Sequence, residues 1–296
     1  MSKNGKCLWI VDTLLHVGGL SLRDLNDRWE RSSLYDGKSL HERTFARYKE
    51  HIASEYNIDI GYSASVNKYF IENSDEVKSN ALYRYLLSAY RIAELNTQAL
   101  HHRDRLMLEP VPTGTEHLST LLRAIDEGRT VRFDYTSYYA DDIQHWELIP
   151  GFLRIFEGRW YLIAEYLDHS KAKTFALERI TELRIGERQL APSPEVTPDT
   201  YYQGCFGIIH EERKPALIRL RADRQQRCYL RAQPLHESQE ETETADDFSI
   251  FTYYLRPSFD FYQRVLWMRE KVEILGPDDV RAEMAKIVGQ MAAMYR

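Results

Sequence analysis

The hydrophobic pattern of this chain changes period at Gly128, and that change limits the folds open to it. Upstream, Leu118, Leu121, Leu122 and Ile125 recur at helical spacing, and Gly128 stands where a C-cap glycine belongs. Downstream, Val131, Phe133 and Tyr135 alternate with polar residues, as a half-buried strand requires. Further strand-like runs follow at 146–149, 152–156, 160–166, 174–177 and 182–185. Several short strands at close spacing predict a small barrel.

Before the switch the chain reads as helical. Residues 6–16 place Leu8, Val11, Leu14 and Leu15 on one face, and Gly18-Gly19 stops that helix. Ser21 caps a second helix with Leu22, Leu25 and Trp29 in register and Asp24 in its first turn. After a polar loop at 31–38, Ser39-Leu40-His41-Glu42 reads as a capping box opening a third helix over 39–55. Short strands are expected at 58–60 and 69–71. Three helices and then a two-stranded hairpin is the order of a winged helix-turn-helix. Phe45, Tyr48 and Ile52 share the inner face of the third helix, and Arg43, Ala46, Arg47 and Glu50 share the outer one. Outward arginines reach guanine edges or phosphates, and a small residue permits close approach to a groove. Arg43, Thr44, Arg47 and Lys49, with Lys68 of the hairpin, are the candidate DNA contacts. A plain amphipathic surface helix would carry the same pattern. Up to Asp75 there are ten Lys and Arg against eleven Asp and Glu. Affinity for DNA would therefore come from a localised face or from two copies in a dimer.

Asn73 to Glu76 reads as a polar break. A helix over 80–102 then carries Leu82, Leu86, Ala89 and Ala93 in register, as a connector or dimerisation element, until Glu109-Pro110-Val111-Pro112 breaks it. A proline-rich second linker spans 191–198. Beyond it, 216–220 and 248–255 are strand-like, while 259–267 and 277–295 are helical. The last helix has Val280, Met284, Ile287, Val288 and Met291 on one face. Between Glu237 and Asp247 stand six acids and no Lys or Arg, read as a solvated loop. The expected organisation is α+β and multidomain. It comprises a winged helix-turn-helix over 1–75, a helical connector over 76–114, a sensor barrel over 115–190 and an α/β extension over 205–296.

Composition removes several classes. With 296 residues, 43% apolar and 28% charged, the chain is neither disordered nor a disulfide scaffold, and its length suits two or three domains. A net charge of −6 excludes a coat of basic residues but not a local basic face. Cys7, Cys205 and Cys228 form no Cys-x-x-Cys pair, so buried reduced thiols are expected in place of a zinc site. No signal peptide or run of ~18 apolar residues is found, which predicts a cytoplasmic protein with no membrane contact. No Walker loop, dinucleotide fingerprint, His-Glu-x-x-His or Gly-x-Ser-x-Gly occurs. His101-His102 and Asp141-Asp142 are consecutive and diverge. No enzyme, metal or cofactor is expected.

Gly158-Arg159-Trp160-Tyr161-Leu162 is followed by Thr174-Phe175-Ala176-Leu177-Glu178-Arg179-Ile180. Upstream lie Val131-Arg132-Phe133-Asp134-Tyr135 and Leu148-Ile149-Pro150-Gly151-Phe152-Leu153-Arg154. This ordered set resembles the bacterial WYL-domain transcriptional regulators. Pro234-Leu235-His236-Glu237-Ser238-Gln239, then Val272-Glu273-Ile274-Leu275-Gly276-Pro277 and a terminal Tyr295-Arg296, resembles the WCX-type extension of that family. The resemblance implies an Sm-like β-barrel that binds a negatively charged ligand, single-stranded nucleic acid or a nucleotide. It further implies a homodimer that binds operator duplex DNA. Matched by position, Tyr135, His145, Arg154, Tyr161 and Arg179 are the implied ligand contacts, and Trp160 is expected in the core. Two departures stand out: Gly151 replaces an aromatic common in relatives, and the segment between the second and third helices is long. The expected function is a ligand-responsive transcriptional regulator. The alternative is a nucleic-acid or nucleotide sensor acting on a partner protein without sequence-specific duplex binding.

Overall fold

A computed structural model describes residues 3–32, 35–99, 105, 113–210 and 213–296, with the side chains of 93–99 not described. The chain divides into two compact units, Met1–Glu109 and Pro110–Arg296.

The first unit begins with three helices, α1 (Lys3–Val17), α2 (Leu22–Glu30) and α3 (Glu42–Tyr56). A hairpin follows, of β1 (Ile60–Ser63) and β2 (Lys68–Ile71), then α4 (Ser74–Ser79) and α5 (Ala81–Ala99). Ser21 caps α2 as its sequence requires, its side chain accepting from the Asp24 amide at 3.1 Å. The expected capping box at Ser39 does not form. Leu40 is buried and its amide donates to Asn26 Oδ1, which holds the chain extended past Ser39, whose hydroxyl donates to Glu30 instead. The helix therefore starts at Glu42 with no side-chain cap. Helix α1 has no single apolar face: Cys7, Trp9, Ile10, Val11 and Leu14 are all buried, because α1 is surrounded by the rest of the unit. β1 sits slightly later than its sequence suggests, while β2 begins one residue earlier, and the pairing of Leu20 with Tyr69 fixes the hairpin against the end of α1. The polar break at Asn73 proves to be the start of α4, where the Asn73 side chain bonds to Asp59 and Asn57 of the preceding turn. In α5 the inward face is Tyr83, Leu87 and Tyr90, and Leu82 and Ala89 are exposed. Ala93 and His101-His102, like the break at 109–112, fall among residues whose side chains or positions lie outside the described set.

The second unit opens with α6 (Leu118–Asp126), ended by Gly128 at φ +61°. Five strands follow: β3 (Arg129–Tyr135), β4 (Gln144–Phe156), β5 (Arg159–Glu165), β6 (Ala172–Ala176) and β7 (Ile180–Gln189). They form one antiparallel sheet in the order β6-β5-β4-β3-β7. The two separate strands expected at 146–149 and 152–156 are one strand. Its register shifts between Pro150 and Phe152, leaving Gly151 as the bulge residue. A Cβ there would stand 2.6 Å from Val196 Cγ1, so the position admits no aromatic side chain without a shift of the segment that crosses it. Leu121 and Ala124 of α6 share the sheet's core with Val131, Phe133, Leu148, Leu162 and Phe175. Trp160 packs against that core, as expected. The opposite side of β4 and β5 is covered too. Phe152 and Ile163 pack against Val196, Tyr202 and Cys205, which explains why β5 reads as an unbroken apolar run.

The segment 191–198 is thus anchored and not a free linker. Glu165, 3% exposed, accepts from the Ser193 amide at 2.9 Å and hydroxyl at 2.6 Å, and contacts His169 Nδ1 at 2.9 Å. After α7 (Pro198–Tyr201) come β8 (Ala216–Asp223), α8 (Gln226–Ala232), β9 (Glu240–Thr244), β10 (Phe248–Leu255), α9 (Phe259–Trp267), β11 (Val272–Gly276) and α10 (Asp278–Ala293). The strands pair antiparallel in the order β11-β8-β10-β9. Phe261, Tyr262, Val265 and Val280 bury the helices on one face of this sheet, at about 1.5–3 kcal/mol per large side chain. The acidic stretch expected to be a loop contains β9, every residue of it exposed, because β10 offers it a hydrogen-bonding edge. Cys228 is exposed, unlike Cys7 and Cys205, since it lies on the outer side of α8. No helix among the described residues is long and apolar enough to cross a membrane.

Candidate functional site

In the second unit three of the singled-out residues meet in one groove. Tyr135 ends β3, Tyr161 lies in β5, and Arg179 closes the 3-10 turn Leu177–Arg179 that joins β6 to β7. The groove has a volume of about 360 Å³, and Arg159, Lys171 and Lys173 also line it. The Tyr135 hydroxyl accepts from Arg179 Nε at 3.0 Å and Nη2 at 2.6 Å, and from the Ala176 amide at 3.4 Å. The Arg179 guanidinium carbon also lies 4.1 Å from the Tyr138 ring centroid. One aromatic hydroxyl thus fixes one edge of the guanidinium and a second ring covers a face. A guanidinium has five N–H donors, so those not held by Tyr135 remain for an anion.

Arg159 and Tyr161 are two residues apart on one strand and share a face. Arg159 is 3.4 Å from Glu178, whose buried carboxylate oxygens accept no well-aligned hydrogen bond among the described residues. The contact is therefore an ion pair without hydrogen-bond geometry. Burial alone would lower the Arg159 pKa, but Glu178 and Tyr161 together outweigh it and the net shift is upward. Burial pushes the Tyr135 and Tyr161 phenols up, against the opposing pull of Arg179 and Arg159 respectively. Both are neutral donors and acceptors at pH 7. The groove therefore sets four cations around two tyrosines, with Glu178 as the near counter-charge. That arrangement suits a ligand with several negative charges.

Two other residues fall elsewhere. His145 is exposed and its Nδ1 is 2.6 Å from Asp134, its cross-strand neighbour. Arg154 is paired with Tyr161 in register, yet its guanidinium lies over Tyr202, 3.9 Å from the ring centroid, and lines a different cavity. Sequence reasoning passed over Arg159, Lys171, Lys173 and Tyr138. The period-two spacing from Tyr161 could have found Arg159. Lys173 arrives only through the pairing of β6 with β5, and Lys171 through the turn before it, where its carbonyl accepts from the Tyr166 amide.

In the first unit, α3 buries Phe45 and Ile52 and exposes Arg43, Ala46, Arg47 and Glu50. Neither arginine has an ion-pair partner among the described residues. Thr44 is half-buried, and Lys49 lies over the Tyr69 ring at 5.4 Å. Lys68, at the start of β2, is exposed.

Comparison with known proteins adds the following. Residues 116–185 match the model of the WYL domain and residues 214–292 that of the WCX domain. Among solved structures, proteasome accessory factor B/C (PafBC) of Arthrobacter aurescens is similar over 95% of this chain, with 17% identity and a TM-score of 0.36. The chain covers 45% of that protein's length. A CRISPR Cas-related protein is similar over 90% of this chain and 76% of its own, with 14% identity and a TM-score of 0.41. No curated protein matches the chain.

Proposed function

We propose that this chain, which carries a WYL domain followed by a WCX domain, is a ligand-responsive, DNA-binding transcriptional regulator that acts as a homodimer. We read 1–75 as a winged helix-turn-helix. Its α3 contacts duplex DNA through Arg43 and Arg47, supported by Thr44, Lys49 and Lys68. We read the five-stranded sheet as an Sm-like barrel that takes a single-stranded nucleic acid or a nucleotide. The observation that carries the reading is the groove in which Arg179, clamped by Tyr135 and Tyr138, stands with Arg159, Lys171 and Lys173 around Tyr161. Arginine forks bind phosphate oxygens and tyrosine rings stack bases. The coupling is thermodynamic: ligand shifts duplex affinity by its own differential affinity for the two states. No catalytic step is assigned.

The test is a mobility shift with duplex DNA from upstream of the protein's own gene, run against excess random duplex and then with added single-stranded oligonucleotide. A shift that resists the random competitor and responds to the single strand is expected. Arg43→Ala should weaken the duplex shift, and Arg179→Ala should preserve it while removing the response. Unchanged duplex affinity in Arg43→Ala would overturn the role of α3. Single-strand binding without duplex specificity would favour a sensor that acts on a partner protein, a reading kept open by the near-neutral charge of 1–75.

A further inference from the structure

A second cavity in the same unit, of about 720 Å³, lies between the end of β4, the segment around α8 and the helix α9. It shares no charged side chain with the groove. Its charges are few. Arg264 is neutralised by an ion pair with Glu157, which joins α9 to the β4–β5 turn. Arg154 has no carboxylate within ion-pair distance among the described residues. Asp260 acts on it only from farther away, and its Oδ2 is occupied by the amides of Ile208 and Ile209 at 2.8 and 3.0 Å. His236 Nδ1 lies 2.8 Å from the Ser238 hydroxyl and 3.2 Å from the Ser238 amide. Burial lowers the His236 pKa, so this ring is neutral at pH 7. The cavity thus holds one uncompensated positive charge, on a guanidinium held over the Tyr202 ring. The remaining wall is largely apolar, with Phe156, Leu235, Trp267 and Met268.

We propose that this cavity binds a small monoanion with a flat apolar body, an aromatic carboxylate. Its carboxylate meets Arg154 and His236, and its ring lies against Phe156 and Trp267. A partly desolvated cation without a counter-charge favours one negative group. A phosphate dianion would bring more charge than this cavity balances. The four cations of the groove suit phosphates better. This effector site is distinct from the groove and stands whether or not the groove binds nucleic acid.

The test is calorimetric titration of the full chain at pH 7 with 2-naphthoate, and with 2-naphthalenemethanol as its neutral counterpart. We expect naphthoate to bind at one site per chain, at least tenfold tighter than the alcohol. Arg154→Met should weaken it at least tenfold, and Arg179→Ala should leave it unchanged. Because Arg154→Met also alters packing on Tyr202, Gln233→Glu is the second variant. Gln233 is an exposed lining residue, and the added charge should weaken naphthoate several-fold in a fully folded protein. Absence of binding to millimolar concentration, equal binding of acid and alcohol, or insensitivity to both cavity variants would overturn the proposal. Loss in Arg179→Ala with retention in Arg154→Met would overturn it by placing the ligand in the groove. An oligonucleotide titration of the same proteins separates the two readings: if oligonucleotide fails to bind while naphthoate behaves as stated, the groove assignment falls and the cavity assignment stands.

Discussion

Replacing Tyr135 with Phe removes one oxygen and keeps the ring, so it isolates the clamp on Arg179. The ring's edge-on packing against Phe175, 5.1 Å between centroids, is retained. What is lost is an acceptor for Arg179 Nε, Arg179 Nη2 and the Ala176 amide. Hydrogen bonds to a charged partner contribute ~1.5–3 kcal/mol. The two guanidinium bonds share one acceptor and are not additive. Arg179 is half-buried and recovers part of the loss from water. A net cost of about 1–2 kcal/mol follows. For a unit of this size each kcal/mol moves Tm by ~2–4 °C, so the variant should melt roughly 2–8 °C lower by calorimetry. Its freed guanidinium must also be ordered by the ligand, at about 0.5–1.5 kcal/mol. Anisotropy titration with a labelled fifteen-nucleotide thymidine strand should therefore show roughly 3–10-fold weaker binding, with a smaller loss than in Arg179→Ala. A Tm within 1 °C of wild type together with unchanged affinity would refute the clamp.

The remaining predictions concern stability. Glu165 is buried, which alone would raise its pKa, but the bonds from Ser193 and His169 outweigh this and hold it below the usual range. Its contribution is therefore present above about pH 4.5 and is lost as pH falls through the lowered folded value. Glu165→Ala, which strands the Ser193 donors, should cost about 1–3 kcal/mol in denaturant titration and flatten the acid limb of the stability curve. An unaltered acid limb would count against the network. Gly151→Ala places a Cβ 2.6 Å from Val196 Cγ1 and 3.1 Å from the Ile163 carbonyl, and should cost about 1–3 kcal/mol; a neutral result would show that the crossing segment yields freely. Burial raises the phenol pKa of Tyr135, Tyr161 and Tyr202, the last to about 12. The unfolded chain releases these protons first, so stability should fall as pH rises above about 10. Absorbance at 295 nm should show these phenols ionising only with unfolding, and free titration near pH 10 would contradict their burial.

Much of this architecture is written in local signals. Ser21 with Asp24, the apolar spacing of 259–267 and the alternation from Val131 to Tyr135 each depend on near neighbours, and each element stands where those signals put it. What escaped local reading depends on distant partners. β9 is a strand because β10 lies beside it, though its composition is that of a solvated loop. β4 continues through Gly151 because a bulge absorbs the extra residue. The polar pocket for Ser193 and the inward face of α5 likewise arise from packing. The site divides in the same way. Tyr135, Tyr161 and Arg179 sit in recognisable blocks, and the fold brings them together. Arg154 stands opposite Tyr161 in register, but Tyr202, far along the chain, draws its guanidinium toward the other cavity.

β9 forms one open border of the four-stranded sheet, and its make-up decides what can join the molecule there. An unpaired strand is a template for another chain. Here the template carries Glu240, Glu241 and Glu243, with Thr242 displaced where the register shifts. A second copy docking edge to edge would have to strip water from three carboxylates and straighten the bulge. Arg231 holds the Glu241 carboxyl down at about 2, so this carboxylate stays ionised well into acid. Growth of the sheet into a fibre therefore meets a charged, bulged border here.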